Sequence, residues 1–215
     1  MEASFIIPII LFVVVFVLPG PDVPSQRRVA TYNKKIVQKN VAKPKTQPRR
    51  KSAIEDDLDY KTIHKYIRST FKKVPAEDAR LIAKHLVEMG KEKQLDPKFV
   101  AAVMARESGF NKKAVSRTGA KGLGQIKDFN YKSLKIKDPF SIKQNANGTV
   151  SYLKRMLSKW KGKDNDKHLA LASYFKGYGA VSKDGGKFDR ATKGYVDGIM
   201  KYYEKIKKIR TEYED

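Results

Sequence analysis

From Glu55 onward the apolar residues recur at helical spacings, and no stretch alternates steadily between apolar and polar. A chain that keeps the helix period and never the two-residue period of a half-buried strand is confined to packing helix on helix. Tyr60, Ile63, Tyr66, Ile67 and Phe71 fall on one such face. Pro75 opens a second helix with Glu77 and Asp78 in its first turn, and its inward positions are Ala79, Leu81, Ile82, His85, Leu86 and Met89. Asp96-Pro97 starts a third: a capping carboxylate followed by a ring whose fixed φ suits the first helical position. There Phe99, Val100, Val103 and Met104 make one face, and further helices are predicted over 141–159, 167–176 and 192–208. The expected fold class is mainly α.

Composition removes several chemistries. Cysteine is absent, so neither a disulfide framework nor a thiolate metal site is available. His64, His85 and His168 are scattered, which argues against a histidine metal cluster or triad, and no metal or cofactor is expected. The net charge is +23, from 46 Lys+Arg against 23 Asp+Glu. Such an excess favours polyanionic partners: nucleic acid, anionic lipid or an anionic wall polymer.

The first quarter of the chain reads differently. Residues 5–18, FIIPIILFVVVFVL, are apolar but short of the ~20 residues of a bilayer span, and Pro8 interrupts them. Glu2 stands where a signal peptide carries positive charge. Residues 1–20 are expected to contact a membrane as anchor or signal segment, with a buried core strand as the alternative. Residues 21–54 read as a basic, Pro-containing linker, because 24–54 holds ten Lys/Arg and no acid and buries too little apolar surface to fold alone. Residues 27–51 are suited to anionic lipid or polymer, or act as a solvated spacer. Tyr32 is the single aromatic there, so specific nucleic-acid binding is not expected.

The chemistry concentrates in 99–128, FVAAVMARESGFNKKAVSRTGAKGLGQIKD. Glu107 closes an apolar helix behind Val103 and Met104. A carboxyl at the inner end of such a helix loses water, which disfavours its charged form and raises its pKa, as a general acid near neutrality requires. An ordinary exposed glutamate is the competing reading. Gly119, Gly122 and Gly124 either let backbone approach a bulky ligand or serve tight turns. Gln125 offers both a donor and an acceptor.

Four short blocks in order resemble the lytic transglycosylase catalytic domain, which is related in fold to goose-type lysozyme. They are Glu107-Ser108, Gly122-Leu123-Gly124-Gln125, Ser173-Tyr174-Phe175-Lys176-Gly177 and Tyr195-Val196. Where the family has Gly-Leu-Met-Gln this chain has Gly124 for the methionine, and where the family has Ala-Tyr-Asn-Ala-Gly it has Phe175 for the asparagine. The resemblance implies a lysozyme-like helical domain with a substrate cleft over 96–210, with 55–95 as its N-terminal helical part. It implies Glu107 as the catalytic acid and base, Ser116 as a bond to the sugar's N-acetyl group, and Tyr195 as the tyrosine that holds the carboxyl. Gln125 is then placed for an amido sugar, and Tyr174 and Tyr178 either stack on sugar faces or pack the core. The loss of the asparagine amide and of the methionine puts substrate register and rate in question more than reaction class.

The implied substrate is the peptidoglycan glycan strand, cut at the β-1,4 bond between N-acetylmuramic acid and N-acetylglucosamine. Glycoside hydrolysis ordinarily takes two carboxylates, yet no other acid lies between Glu107 and Asp128. One suffices if the muramic C6 hydroxyl attacks C1 and closes a 1,6-anhydro ring. Asp128, Asp184, Asp189 and Asp197 keep a hydrolytic muramidase open as the alternative. A non-catalytic wall-binding protein and a basic nucleic-acid binder are the others. Lys112, Lys113, Lys121, Lys127 and Lys132 crowd the region and suit an anionic polymer. The expected location is the cell envelope, membrane-associated, or a phage virion. The virion is suggested by basic residues after the apolar run, which the positive-inside rule places on the cytoplasmic side.

Overall fold

The computed structural model describes residues 53–213. The membrane segment expected over 1–20 lies outside the described residues, as does the basic linker expected over 21–54 except for Ala53 and Ile54, which enter a 3-10 turn, Ala53–Asp56. Among the described residues no helix is long and apolar enough to cross a membrane.

Eight α-helices follow that turn. Helix α1 (Leu58–Thr70) is capped by Asp57, whose carboxylate accepts from the Asp59 N–H at 2.8 Å. Helix α2 (Ala76–Lys93) starts after Pro75 with acids in its first turn and ends on Gln94 in the left-handed region. Helix α3 (Pro97–Ser108) begins where the Asp-Pro pair predicts it, with the Asp96 carboxylate accepting from the Lys98 N–H at 2.9 Å. The other Asp96 oxygen accepts from the Tyr203 hydroxyl at 2.6 Å. The cap therefore also ties α3 to α8 (Arg190–Thr211).

Helix α3 departs from its sequence pattern. Phe99, Val100, Val103 and Met104 predict one apolar face, but every residue from Pro97 to Ala105 is buried. A helix surrounded on all sides belongs at the centre of a bundle. Here α8 and α2 cover it, and α1 packs on α2 and α8. Lys98 is buried with it and answers its charge by pairing with Asp59 and Asp96 at 2.8 and 2.9 Å. This keeps the desolvation of the ammonium compensated.

Past α3 the chain runs through a long turn-rich loop, a 3-10 turn at Asp128–Asn130 and the one-turn α4 (Tyr131–Leu134). The amphipathic α5 (Ile142–Trp160), capped by Ser141, packs on α2 and on α6 (Asp166–Lys176). Short α7 (Tyr178–Lys183) leads to α8. The three late helices predicted from periodicity lie within a few residues of α5, α6 and α8. Helices α4 and α7 were not predicted, since four and six residues are too few to display an apolar period. Among the described residues there are no strands, only two isolated bridges, Val115 with Lys121 and Lys121 with Ile126, inside the long loop.

Candidate active site

Glu107 lies in the last turn of α3, at the edge of the buried core. The turn ends on Gly109, whose φ of 56° reverses the chain, and Phe110 then buries itself against Phe71 at 5.0 Å between ring centroids. The loop is thereby held beside the carboxyl rather than trailing away. Ser108 fixes it further: its hydroxyl donates to the Leu123 carbonyl at 2.7 Å, linking the end of α3 to the Gly-Leu-Gly-Gln segment.

Glu107 faces a cleft of about 490 Å³. Its lining includes Ser116, Gln125, Phe129, Tyr152, Tyr174 and Phe175, and Glu107 is the one acid among the lining residues. Two larger hollows, of about 860 and 760 Å³, lie elsewhere and do not include it. Burial pushes the carboxyl from an ordinary 4.5 up to about 7, against the opposing pull of the Tyr195 hydrogen bond and the Arg106 charge. Near neutrality Glu107 therefore exchanges readily between acid and carboxylate, the condition for giving a proton and taking it back.

Tyr195, from the first turns of α8, donates its hydroxyl to Glu107 Oε1. Burial and the neighbouring carboxyl hold this phenol far above its ordinary range, so it remains a donor. The Tyr174 hydroxyl donates to the Gly124 carbonyl at 2.7 Å, and its ring meets Tyr152 edge-on at 5.0 Å. Of the two uses open to Tyr174 from sequence, its contacts are those of a packed core side chain that borders the cleft. Tyr178 lies away from the cleft, against Trp160 at 5.3 Å.

Gln125 has a left-handed φ of 49° and spends its amide nitrogen on the Ala114 and Gly122 carbonyls, at 3.2 and 2.9 Å. Two acceptors fix the orientation of the amide, so Oε1 alone is left to a ligand, as an acceptor only. Ser116 also reaches the cleft, with its hydroxyl accepting from the Ala120 N–H at 3.0 Å and lying 3.3 Å from the Thr118 hydroxyl. That is a local turn bond, and it leaves the Ser116 hydroxyl proton able to turn to a second partner.

The glycines divide. Gly119, with φ of 81°, has open space around it. Gly122 instead gives room to the Pro139 carbonyl and Asn145, and Gly124 to Thr149 of α5. A Cβ on Gly122 would lie 2.3 Å from the Asn145 amide nitrogen, and one on Gly124 would lie 2.0 Å from the Thr149 hydroxyl oxygen. Asn145 is fully used there. Its oxygen accepts from the Gly124 N–H at 2.8 Å, and its nitrogen donates to the Lys121 and Pro139 carbonyls at 3.1 and 2.8 Å. Gly124 is therefore fully packed against α5. Thr149 fills from α5 the space that a methionine side chain would take. Asn145, Thr149 and Tyr152 were missed in the sequence. They sit at spacings of four and three on the inward side of α5, and polar residues at core positions were the available signal.

The four acids that left a second carboxylate open are not in the cleft lining. Asp128 turns its carboxylate to the Phe129 N–H at 2.7 Å, Asp189 pairs with Lys176 at 3.2 Å, and Asp197 pairs with Lys193 at 2.6 Å. Asp184 caps the end of α7. Of the lysines expected to crowd the site, Lys127 lines it, whereas Lys112 and Lys113 border the separate hollow of about 860 Å³. Among the described residues no three His, Asp or Glu side chains converge as metal ligands would.

A helical bundle whose central helix ends on one half-buried carboxyl, opening into a cleft walled by an irregular loop, belongs to the lysozyme-like class of folds. The chain is a member of the transglycosylase SLT domain family, whose model matches residues 86–195. That span runs from the second half of α2 through Tyr195 and contains Glu107, Ser116, Gln125 and Tyr174. Two membrane-bound lytic murein transglycosylases F are similar in sequence. The one from Desulfosudis oleivorans is 29% identical over 130 residues, 59% of this chain and 27% of that protein. The one from Salmonella arizonae is 30% identical over 145 residues, 66% of this chain and 27% of that protein. The chain thus spans little more than a quarter of the length of these relatives. In structure it is similar to an inactive mutant of the lytic transglycosylase Slt from Pseudomonas aeruginosa. The TM-score is 0.50 at 23% identity, covering 64% of this chain and 26% of that one, a likeness of fold.

Proposed function

We propose that the domain is a peptidoglycan lytic transglycosylase in which Glu107 serves as both acid and base. The observation that carries this is a single carboxyl, held near neutrality, in a cleft with no second acid in its lining. Neutral Glu107 protonates the oxygen between N-acetylmuramic acid and N-acetylglucosamine, and the bond from that oxygen to C1 breaks. The substrate's own acetamido group steadies the positive charge at C1. Ionised Glu107 then takes the proton of the muramic C6 hydroxyl while its oxygen bonds to C1. One C–O bond is lost, one is formed, the proton returns to Glu107 and no water is consumed.

Tyr195 is the positioning group in this scheme, since its hydroxyl holds Oε1 in both charge states. Ser116 and the Oε1 of Gln125 are placed to meet amide groups of the sugar. That the two relatives are membrane-bound lytic murein transglycosylases supports both the reaction class and attachment to a membrane. Residues 1–20 supply the apolar segment for such attachment, which puts the domain to work at the cell envelope, making local openings. The basic flank of that segment supports arrival in a virus particle, and detecting the chain in purified particles tests that route.

Mass spectrometry of digested peptidoglycan tests the reaction. Anhydro-ended fragments, one water lighter than reducing-ended ones, are expected from the wild type and none from Glu107→Gln. Reducing-ended products would instead make it a muramidase. Equal clearing by wild type and Glu107→Gln would remove Glu107 as the acid and base, and no clearing by either would leave a wall-binding protein.

A further inference from the structure

Phe175 stands where the family carries an amide, and its surroundings give it a different use. Its ring lies nearly parallel to that of Tyr195, at 4.6 Å between centroids and 19° between planes. One face is thereby covered, yet the residue remains 51% exposed. Packing on Tyr195 accounts for the covered face only. In the same cleft lining, on the 3-10 turn after Lys127, Phe129 is 76% exposed. Single exposed aromatics are ordinary on a protein surface. Two that line the cleft of a half-buried acid, one of them stacked on the tyrosine bonded to that acid, are placed for a ligand.

We infer that Phe129 and Phe175 form an aromatic grip on the glycan, with Phe175 a platform shared between Tyr195 and the face of one sugar ring. The C–H face of a pyranose is flat and apolar, so it meets an aromatic ring through many weak dispersion contacts and sheds water in doing so. An asparagine reads a sugar's substituents by hydrogen bonds. A phenylalanine reads its face. The lost amide contact is replaced by one of another kind, on a surface already braced from below by Tyr195. This rests on the proposed reading of the cleft as a glycan site, but it is tested by binding rather than turnover.

The full chain carrying Glu107→Gln is titrated with soluble N-acetylglucosamine oligomers, so that no cleavage intervenes. Phe129→Leu and Phe175→Leu, which keep apolar volume but lose the flat ring, are each expected to weaken binding by roughly threefold to tenfold, the range of an aromatic contact. Phe175→Tyr is expected to bind as the parent does. The weakening should be the same in low and high salt, because no charge is involved. Leu variants that bind like the parent overturn the grip. So does a Phe175→Tyr as weak as Phe175→Leu, a Phe175→Asn as tight as the parent, or a parent that binds no oligomer. Should Phe175→Leu unfold, Phe129→Leu decides alone. Failure to find anhydro products would sink the proposed reaction and leave these binding results to be judged separately.

Discussion

Replacing Glu107 by glutamine should abolish the chemistry and at the same time make the domain more stable. The native carboxyl titrates at about 7 against an ordinary 4.5. Between those values the folded state holds a proton that the unfolded state has released, so stability falls as pH rises through the window and the full cost is present above it. Each pH unit of displacement corresponds to about 1.4 kcal/mol, which places the cost at about 3 kcal/mol above neutrality. Glutamine has no charge to desolvate and still accepts the Tyr195 hydroxyl. For a domain of this size about 3 kcal/mol is roughly 6–12 °C in Tm. Thermal unfolding of wild type and Glu107→Gln across pH 4 to 9 measures it. The two curves should coincide near pH 4 and separate between pH 5 and 8, with the variant higher. A gain below about 2 °C at pH 8, or one that does not depend on pH, would refute a desolvated acid at the end of α3.

Tyr195→Phe removes the donor that favours the ionised form, so the Glu107 pKa should rise. A lost bond to a charged group is worth about 1.5–3 kcal/mol, and the alkaline limb of the rate profile should move up by about one to two pH units. Gly124→Met forces a side chain into the space of Thr149 and should cost about 1–3 kcal/mol in denaturant unfolding. The pair Gly124→Met with Thr149→Ala should recover much of that. Asn145→Ala leaves the Gly124 N–H and the Pro139 carbonyl without their side-chain partner, while the Lys121 carbonyl keeps the Ile126 N–H. A loss of about 2–4 kcal/mol is expected, together with slower turnover as Gln125 loses its seat.

The helices were legible because burial and period coincide in them: Asp96-Pro97 fixed the start of α3, and the amphipathic stripes of α5 and α8 located both. The depth of α3 was not legible. Its outward positions are Ala101, Ala102 and Ala105, small residues that a pattern count treats as neutral but that admit neighbouring helices closely. At the site, Glu107, Gln125, Tyr174 and Tyr195 stand in the short blocks and Ser116 on the loop between the first two, and the structure brings the other four, Ser116 included, around Glu107. Their division of labour depends on hydrogen bonds across the chain, such as Tyr174 to Gly124 over fifty positions. No local pattern carries these. The packing role of Gly122 and Gly124 was not legible for the same reason, since the atoms they make way for lie on α5 and at Pro139 just before it.

The position of Glu107 on α3 has one more effect. The peptide dipoles of a helix leave about half a negative charge at its C-terminal end, and this end adjoins the carboxyl. Because residues 97–105 are sheathed by protein, mobile ions cannot approach the helix along most of its length to damp that field. The proton on Glu107 is held first by burial, and this field adds to it from inside the bundle, whereas the lysine-rich exterior acts through water and fades within ~10 Å at 0.1 M salt. Added salt should loosen the domain from an anionic wall polymer and leave its pH optimum on a neutral oligosaccharide where it was.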